Sequence, residues 1–205
     1  TGYMGITKKI QAEQMIYHMV QRAFPEKKLK CYKELTEGMC NAAYFIQFTD
    51  CSKSILKIAA SDNSGLLSNE VNLMEAEVTA MRLMENSDFV KVAKVQYYDD
   101  TKTLCSGRYF FMEALEGQSY FSLGEELTEK EKSDLNYEVG KIERNLAQVY
   151  GEKFGLVADP EHQYDDLFEF VYYLISNVLR DAQKKDIVIG VDADQILKQL
   201  SKGKD

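Results

Sequence analysis

Histidine and cysteine are scarce: the 205 residues hold two histidines, His18 and His162, and four cysteines with no CxxC pair among them. A structural zinc site draws on closely spaced Cys and His ligands, so none is expected here. A Cys-His or Ser-His-Asp mechanism would have to use one of those two histidines, and neither has a motif around it. Cys31, Cys40, Cys51 and Cys105 are scattered and read as reduced, structural residues; only Cys40 lies in a loop of interest. No apolar run approaches the length of a bilayer span, and the first residues lack a signal-peptide pattern. Low-complexity tracts and internal repeats are also missing. Basic residues are outnumbered: 25 Lys and Arg face 33 Asp and Glu, a formal charge of -8. That balance excludes a phosphate-contacting nucleic-acid binder and disfavours anionic membranes. The expectation is a soluble, cytoplasmic protein whose acidic surface could draw in a cationic small molecule.

What is present is ordinary globular composition, 45% apolar and 28% charged, in a chain long enough for one large domain or two small lobes. Near-helical spacing of Ile10, Met15, Ile16, Met19 and Val20 predicts a helix over 7–23, closed by Phe24-Pro25. Alternation follows, with Tyr44, Ile46 and Phe48 on one strand face and Ala43, Phe45 and Gln47 on the other. Asp50-Cys51-Ser52-Lys53 turns the chain into a second strand that runs through Ile58. Residues 61–65 form a polar loop, 70–84 a helix, and 90–98 and 108–113 two further strands. After Gly117 no strand signal returns. Thr128 and Glu131 make a capping box for a helix with Leu135, Val139, Ile142, Leu146 and Val149 on one face. A second amphipathic helix spans 164–182, and a third is capped by Asp192, with Gly203 beyond its end. The pattern predicts an α+β chain: a small antiparallel sheet with one inserted helix up to Gly117, then helices alone over 118–205.

Lys57 shares a strand face with Ile55 and Ala59, while Leu56 and Ile58 share the other. A lysine between apolar neighbours either reaches water from an edge strand or finds a negative partner. Glu77 falls on the helical stripe of Leu73, Met74, Ala80, Met81 and Met84. There a carboxylate is costly unless paired, although an exposed helix edge would also explain it. Lys57 is its natural partner, with Glu70 as the alternative carboxylate, and a lysine so held can contact phosphate oxygens. The loop Glu37-Gly38-Met39-Cys40-Asn41 has a single glycine; it fits a plain hairpin turn as well as a phosphate cradle.

Taken in order, residues 37–44, the Ile55-Leu56-Lys57 strand, the Glu77 helix and Phe110-Phe111-Met112-Glu113-Ala114-Leu115-Glu116-Gly117 resemble the aminoglycoside phosphotransferase and choline kinase family. Val139-Gly140-Lys141-Ile142 through Tyr150, followed by Phe154-Gly155, is similar to the stretch that follows the hinge in that family. The resemblance covers about Lys30 to Ile187. It implies a kinase-like fold, with 1–117 as the nucleotide-binding lobe and 118–205 as the helical start of a second lobe. It implies ATP or GTP with magnesium, and transfer of the gamma-phosphoryl group to a hydroxyl of an aminoglycoside-, choline- or sugar-like acceptor. On that reading Lys57 contacts phosphates, Glu77 orients Lys57, and Gly38 and Asn41 belong to the phosphate loop. Ile55 packs on the base, and Met112 leads to Glu113 and Leu115, whose backbone meets the purine edge.

The chain also departs from the family. Met39 and Cys40 are bulkier than the small residues usual in the loop, and Tyr150 replaces a common histidine. The catalytic H-x-D loop has only one look-alike, His162-Gln163-Tyr164-Asp165-Asp166. Its aspartate is one residue late, and Phe170 stands where an asparagine should follow. We read it as a decoy, with Asp165 and Asp166 near a helix N-terminus. No catalytic aspartate or metal ligand is identified, and the expectation is a fragment truncated before that loop, inactive by itself and prone to self-association through exposed helices. A non-catalytic kinase-like binding or regulatory module is the alternative, and an unrelated α+β protein the third.

Overall fold

The computed structural model describes residues 13–36, 41–60, 65–85, 87 and 90–203. The loop residues Glu37 to Cys40, Gly38 among them, and the part of the first predicted helix before Glu13 lie outside the described residues. Two compact units divide the chain: residues 1–61 with 81–150, and residues 62–80 with 151–205.

The first unit is built on a five-stranded antiparallel sheet. Helix α1 (Glu13–Ala23) precedes β1 (Leu29–Leu35), β2 (Ala42–Phe48) and β3 (Lys53–Ile58); α2 (Leu73–Met84) then intervenes before β4 (Val95–Asp99) and β5 (Tyr109–Glu113). Spatial order is β1-β2-β3-β5-β4. The alternation read from the sequence is the one observed: Tyr44, Ile46 and Phe48 are buried, with Phe45 and Gln47 less so. One sheet face carries Ala42, Tyr44, Ile46, Phe48, Leu56, Ile58, Tyr109 and Phe111. Ile16, Met19 and Val20 of α1 close over it. Phe24, just past α1, meets Phe48 and Phe111 edge to face at 5.2 and 5.1 Å, the geometry aromatic quadrupoles favour.

A buried polar cluster ties α1 to the β4–β5 end of this layer. Asp99, 4% exposed, accepts from Arg22 Nη1 at 2.8 Å and Tyr109 Oη at 2.9 Å through Oδ2. Its Oδ1 accepts the Thr101 backbone N–H at 2.8 Å. Burial alone would raise the Asp99 pKa, but hydrogen bonds from Thr101, Arg22 and Tyr109 outweigh it and bring the value down to about 2.

Close backbone approach fixes another corner. A Cβ at Gly107 would run into the carbonyl oxygen of Ala59, whose N–H donates to Arg108 O at 2.9 Å. Because the obstacle is backbone, Gly107→Ala is expected to cost about 1–3 kcal/mol, read as a lower urea midpoint at unchanged slope.

The same unit continues through α3 (Tyr120–Leu123) and α4 (Glu129–Leu146). The predicted capping box opens α4: Thr128 N–H donates to Glu131 Oε2 at 2.8 Å, and Glu131 N–H returns to Thr128 Oγ1 at 3.3 Å. Leu135, Val139 and Leu146 on α4, and Val149 beyond it, are exposed.

In the second unit β6 (Phe154–Gly155) pairs with β7 (Gln163–Tyr164), ahead of α5 (Leu167–Lys184) and α6 (Ala193–Ser201). This corrects the expectation of helices alone after Gly117. The two-residue strands are too short to leave an alternation in the sequence. Asp166 caps α5 by accepting from Glu169 N at 3.1 Å, so that helix starts at Leu167 rather than Tyr164. Asp192 caps α6, as expected. Helix α2 starts at Leu73, not 70, because Asn72 takes a positive φ of 47°. Strand β4 starts at Val95, not 90.

Candidate functional site

The outer face of the sheet, away from α1, carries two side-chain rows set by strand register. Phe45, Ile55, Met112 and Val95 lie opposite one another across β2, β3, β5 and β4. The neighbouring row is Ala43, Lys57, Phe110 and Tyr98. Apolar and aromatic side chains therefore surround one half-buried cation. Lys57 Nζ stands 5.8 Å from the Phe110 ring centroid, within the range of a cation–π attraction. Arg82, in the last turn of α2, lies 5.8 Å from the ring of Tyr98.

The end of β5 is locked from both sides. Ser54 is fully buried and donates to Gln96 Oε1 at 2.7 Å, with Met112 O also within 3.0 Å. Glu113 N–H donates to Lys94 O at 2.9 Å. From Glu113 the backbone leaves the sheet toward Leu115, which is exposed. Asn41 is half-buried directly before β2, whose first residue, Ala42, pairs with Ile58 beside Lys57.

Of the residues singled out from sequence, Ile55, Lys57 and Met112 thus share one face, and Asn41, Glu113 and Leu115 flank its strands. Gly38 is outside the described residues. Glu77 lies in the second compact unit and Lys57 in the first. The apolar stripe of α2 also needs correcting. Met74 and Val78 are its buried residues, whereas Leu73 and Ala80 are exposed and Glu77 is intermediate. The buried side is turned by about a residue from the predicted one, so Glu77 flanks it rather than sitting at its centre. Phe45, Phe110 and Val95 escaped the sequence reading, although the Tyr109-Phe110-Phe111 run was the available signal for Phe110. What that run lacked was the register that sets Phe110 against Lys57.

The H-x-D look-alike is structural. His162 Nδ1 lies 2.9 Å from Asp159 Oδ2, and its ring stacks on Tyr173 at 4.6 Å. Asp165 pairs with Lys153 at 3.2 Å, and Asp166 is the α5 cap. Among the described residues no group of three or more His, Cys, Asp or Glu side chains is placed to hold a metal ion.

A five-stranded antiparallel sheet, with a helix between its third and fourth strands in chain order and helices after it, defines an α+β protein. The sequence pattern of the phosphotransferase enzyme family matches residues 32–202, and the chain belongs to that family. Among solved structures it is similar to a candidate aminoglycoside phosphotransferase from Ralstonia eutropha JMP134, with 13% identity and a TM-score of 0.40. That match covers 52% of this chain and 29% of the other. No curated protein matches.

Proposed function

We propose that the outer sheet face holds ATP or GTP, and that residues 1–117 form the nucleotide-binding lobe of a small-molecule phosphotransferase, with the mainly helical residues 118–205 belonging to a second lobe. The observation that carries this reading is the register that sets Lys57 against Phe110 and Ile55 against Met112 on one face of strands leading to Glu113. The flat apolar row of Phe45, Ile55, Met112 and Val95 suits a purine ring. Lys57, one turn of the pleat away, suits phosphate oxygens. Glu113 and Leu115 offer backbone groups to the purine edge, and Gly38 and Asn41 belong to the phosphate loop. Magnesium carried in on the phosphates would offset their charge. The reaction served is transfer of the gamma-phosphoryl group to a hydroxyl of an aminoglycoside-, choline- or sugar-like acceptor.

No residue of this chain is assigned the role of catalytic base. His162 and Asp166 are engaged in structure, and that observation also favours a second reading, a non-catalytic kinase-like binding module. Its acidic balance argues against nucleic acid, and no helix among the described residues is long and apolar enough to cross a membrane. The exposed apolar positions of α4 support self-association. The test is a radiolabelled ATP assay against a panel of aminoglycoside, choline and sugar acceptors, beside equilibrium dialysis with the same nucleotide. The expected result is saturable nucleotide retention with no labelled acceptor. Transfer at the rate of an ordinary kinase, on the order of 1–100 per second, would show that a base has been overlooked.

A further inference from the structure

A cavity of about 630 Å³ opens along one face of α5, with Tyr164 of β7 and Ser201 of α6 completing its wall. It lies wholly within the second compact unit, and the nucleotide reading uses none of its residues. Its volume suits a small organic ligand. Phe168, Tyr172 and Tyr173 of α5 join Tyr164 in giving it an aromatic lining. Ring centroids are 6.0 Å apart for Phe168 and Tyr172, and 5.6 Å for Tyr164 and Tyr173. Tyr173 is braced by His162, whose ring stacks on it at 4.6 Å. The helix that carries most of the lining is anchored too. Asp181 Oδ2 accepts the Ser68 backbone N–H and Oδ1 the Ser68 hydroxyl, each at 2.6 Å. A wall so held needs little ordering when a ligand arrives, which lowers the cost of binding.

Two polar groups mark where a ligand's charge belongs. Ser176 Oγ is buried and finds no hydrogen-bond partner among the described residues. A helical serine ordinarily turns its hydroxyl back onto the carbonyl four residues earlier, and a buried hydroxyl left unpaired is costly. Arg180, one turn further along the same face, also lines the cavity. Its Nη1 donates to Asn177 Oδ1 at 3.2 Å, and Asn177 Nδ2 donates to Asn69 Oδ1 at 2.8 Å. That tether holds the guanidinium and leaves it further N–H groups to donate. A hydroxyl and a guanidinium one turn apart both donate to an anion, and a carboxylate or phosphate matches the planar fork of arginine. Glu169, which lines the cavity as well, stands three turns before Arg180, on the order of 16 Å along the helix. That exceeds the ~8 Å Debye length at physiological salt, so Glu169 does not oppose an anion held at Arg180. A ligand cation beside Ser176 would instead face the charge of Arg180.

We propose that this cavity is a binding site for a small aromatic anion, a flat ring bearing a carboxylate or a phosphate. The ring lies against Phe168, Tyr172 and Tyr173, and the anion is held by Ser176 and Arg180. Offset and edge-to-face contacts with the aromatic lining favour a planar ring over a saturated one. The site is additional to the nucleotide grip, and the proposal does not depend on that reading.

The test is calorimetric titration of the full chain with naphthoate and naphthyl phosphate, beside neutral naphthol and cationic naphthylmethylamine. Saturable binding of at least one anion, tighter than either control, is expected, and the tighter anion tells carboxylate from phosphate. Arg180→Gln should weaken that binding by roughly ten- to hundredfold. Ser176→Ala should weaken it by about three- to tenfold without lowering the melting temperature of the free protein, because the hydroxyl it removes is unpaired there. A serine serving structure alone would show the reverse. Lys184→Gln, which removes an exposed charge of α5 away from the lining, should keep the wild-type affinity. Saturating ATP should leave the anion bound. Should Arg180→Gln fail to fold, Ser176→Ala and Phe168→Ala carry the test. The proposal is overturned by the absence of saturable anion binding, by amine binding as tight as the anion's, by wild-type affinity in Arg180→Gln, or by displacement of the anion by ATP.

Discussion

Lys57→Ala is expected to abolish the thermal stabilisation that ATP and magnesium give the unmodified chain. A folded-state site filled to a hundred times its dissociation constant stabilises by about 2.7 kcal/mol. For a chain of this size that is a rise in melting temperature on the order of 5–10 °C. Lys57 is the residue to remove because its ammonium lies over Phe110 between the apolar neighbours of the outer sheet face. Its aliphatic stem lies on a face that an alanine leaves mostly intact, so the variant should fold and melt near the wild type without nucleotide. A shift of equal size in the variant would move the phosphates away from Lys57. Lys53→Ala, at the start of the same strand and paired at 3.5 Å with exposed Glu116, is the control expected to keep the full shift.

The second large effect lies on the opposite face of the sheet. Asp99→Asn is expected to destabilise the fold by about 2–4 kcal/mol, because an amide cannot accept from Arg22, Thr101 and Tyr109 together. The wild type should also lose stability in acid in a defined window. Asp99 is depressed from 3.8 to about 2, so the folded state binds its proton less readily than the unfolded chain. The resulting stabilisation, about 2 kcal/mol, is full above pH 4 and disappears as pH falls toward 2. Tyr109 acts at the other end of the scale. Burial and its bond to Asp99 raise its pKa above the ordinary 10.0; the unfolded chain ionises first, and stability falls as pH rises past 10. Urea midpoints from pH 2 to 5 test the first window, where Asp99→Asn should lack the part of the slope that Asp99 contributes. Parallel curves for both proteins would remove Asp99 from the account.

How far the fold was legible depended on how local its signals were. The Thr128–Glu131 box and the Asp192 cap are contained within four residues, and both stand where the sequence puts them. The alternation in β2 survived because one of its faces is fully buried. Boundaries failed where a single backbone dihedral decides them, as at Asn72, or where a cap competes with a neighbouring strand pair, as at Asp166 beside β7. Pairing was not legible at all. Ile55 and Lys57 share a face by arithmetic, but that Met112 and Phe110 lie opposite them is a matter of register between distant strands. The Ser68–Asp181 clamp was hidden for the same reason. Nothing in either segment announces a partner more than a hundred residues away. Glu77 was placed at the centre of its stripe because period alone cannot tell which side of a helix is buried.

The most direct measurement is affinity labelling with an acyl-phosphate derivative of ATP, which transfers its acyl group to whichever lysine amine lies against the phosphates. The labelled chain is digested and mapped by mass spectrometry, with and without excess ATP. The account predicts one dominant modified residue, Lys57, protected by ATP. Labelling spread over the surface lysines, or a dominant site elsewhere that ATP protects, would contradict it.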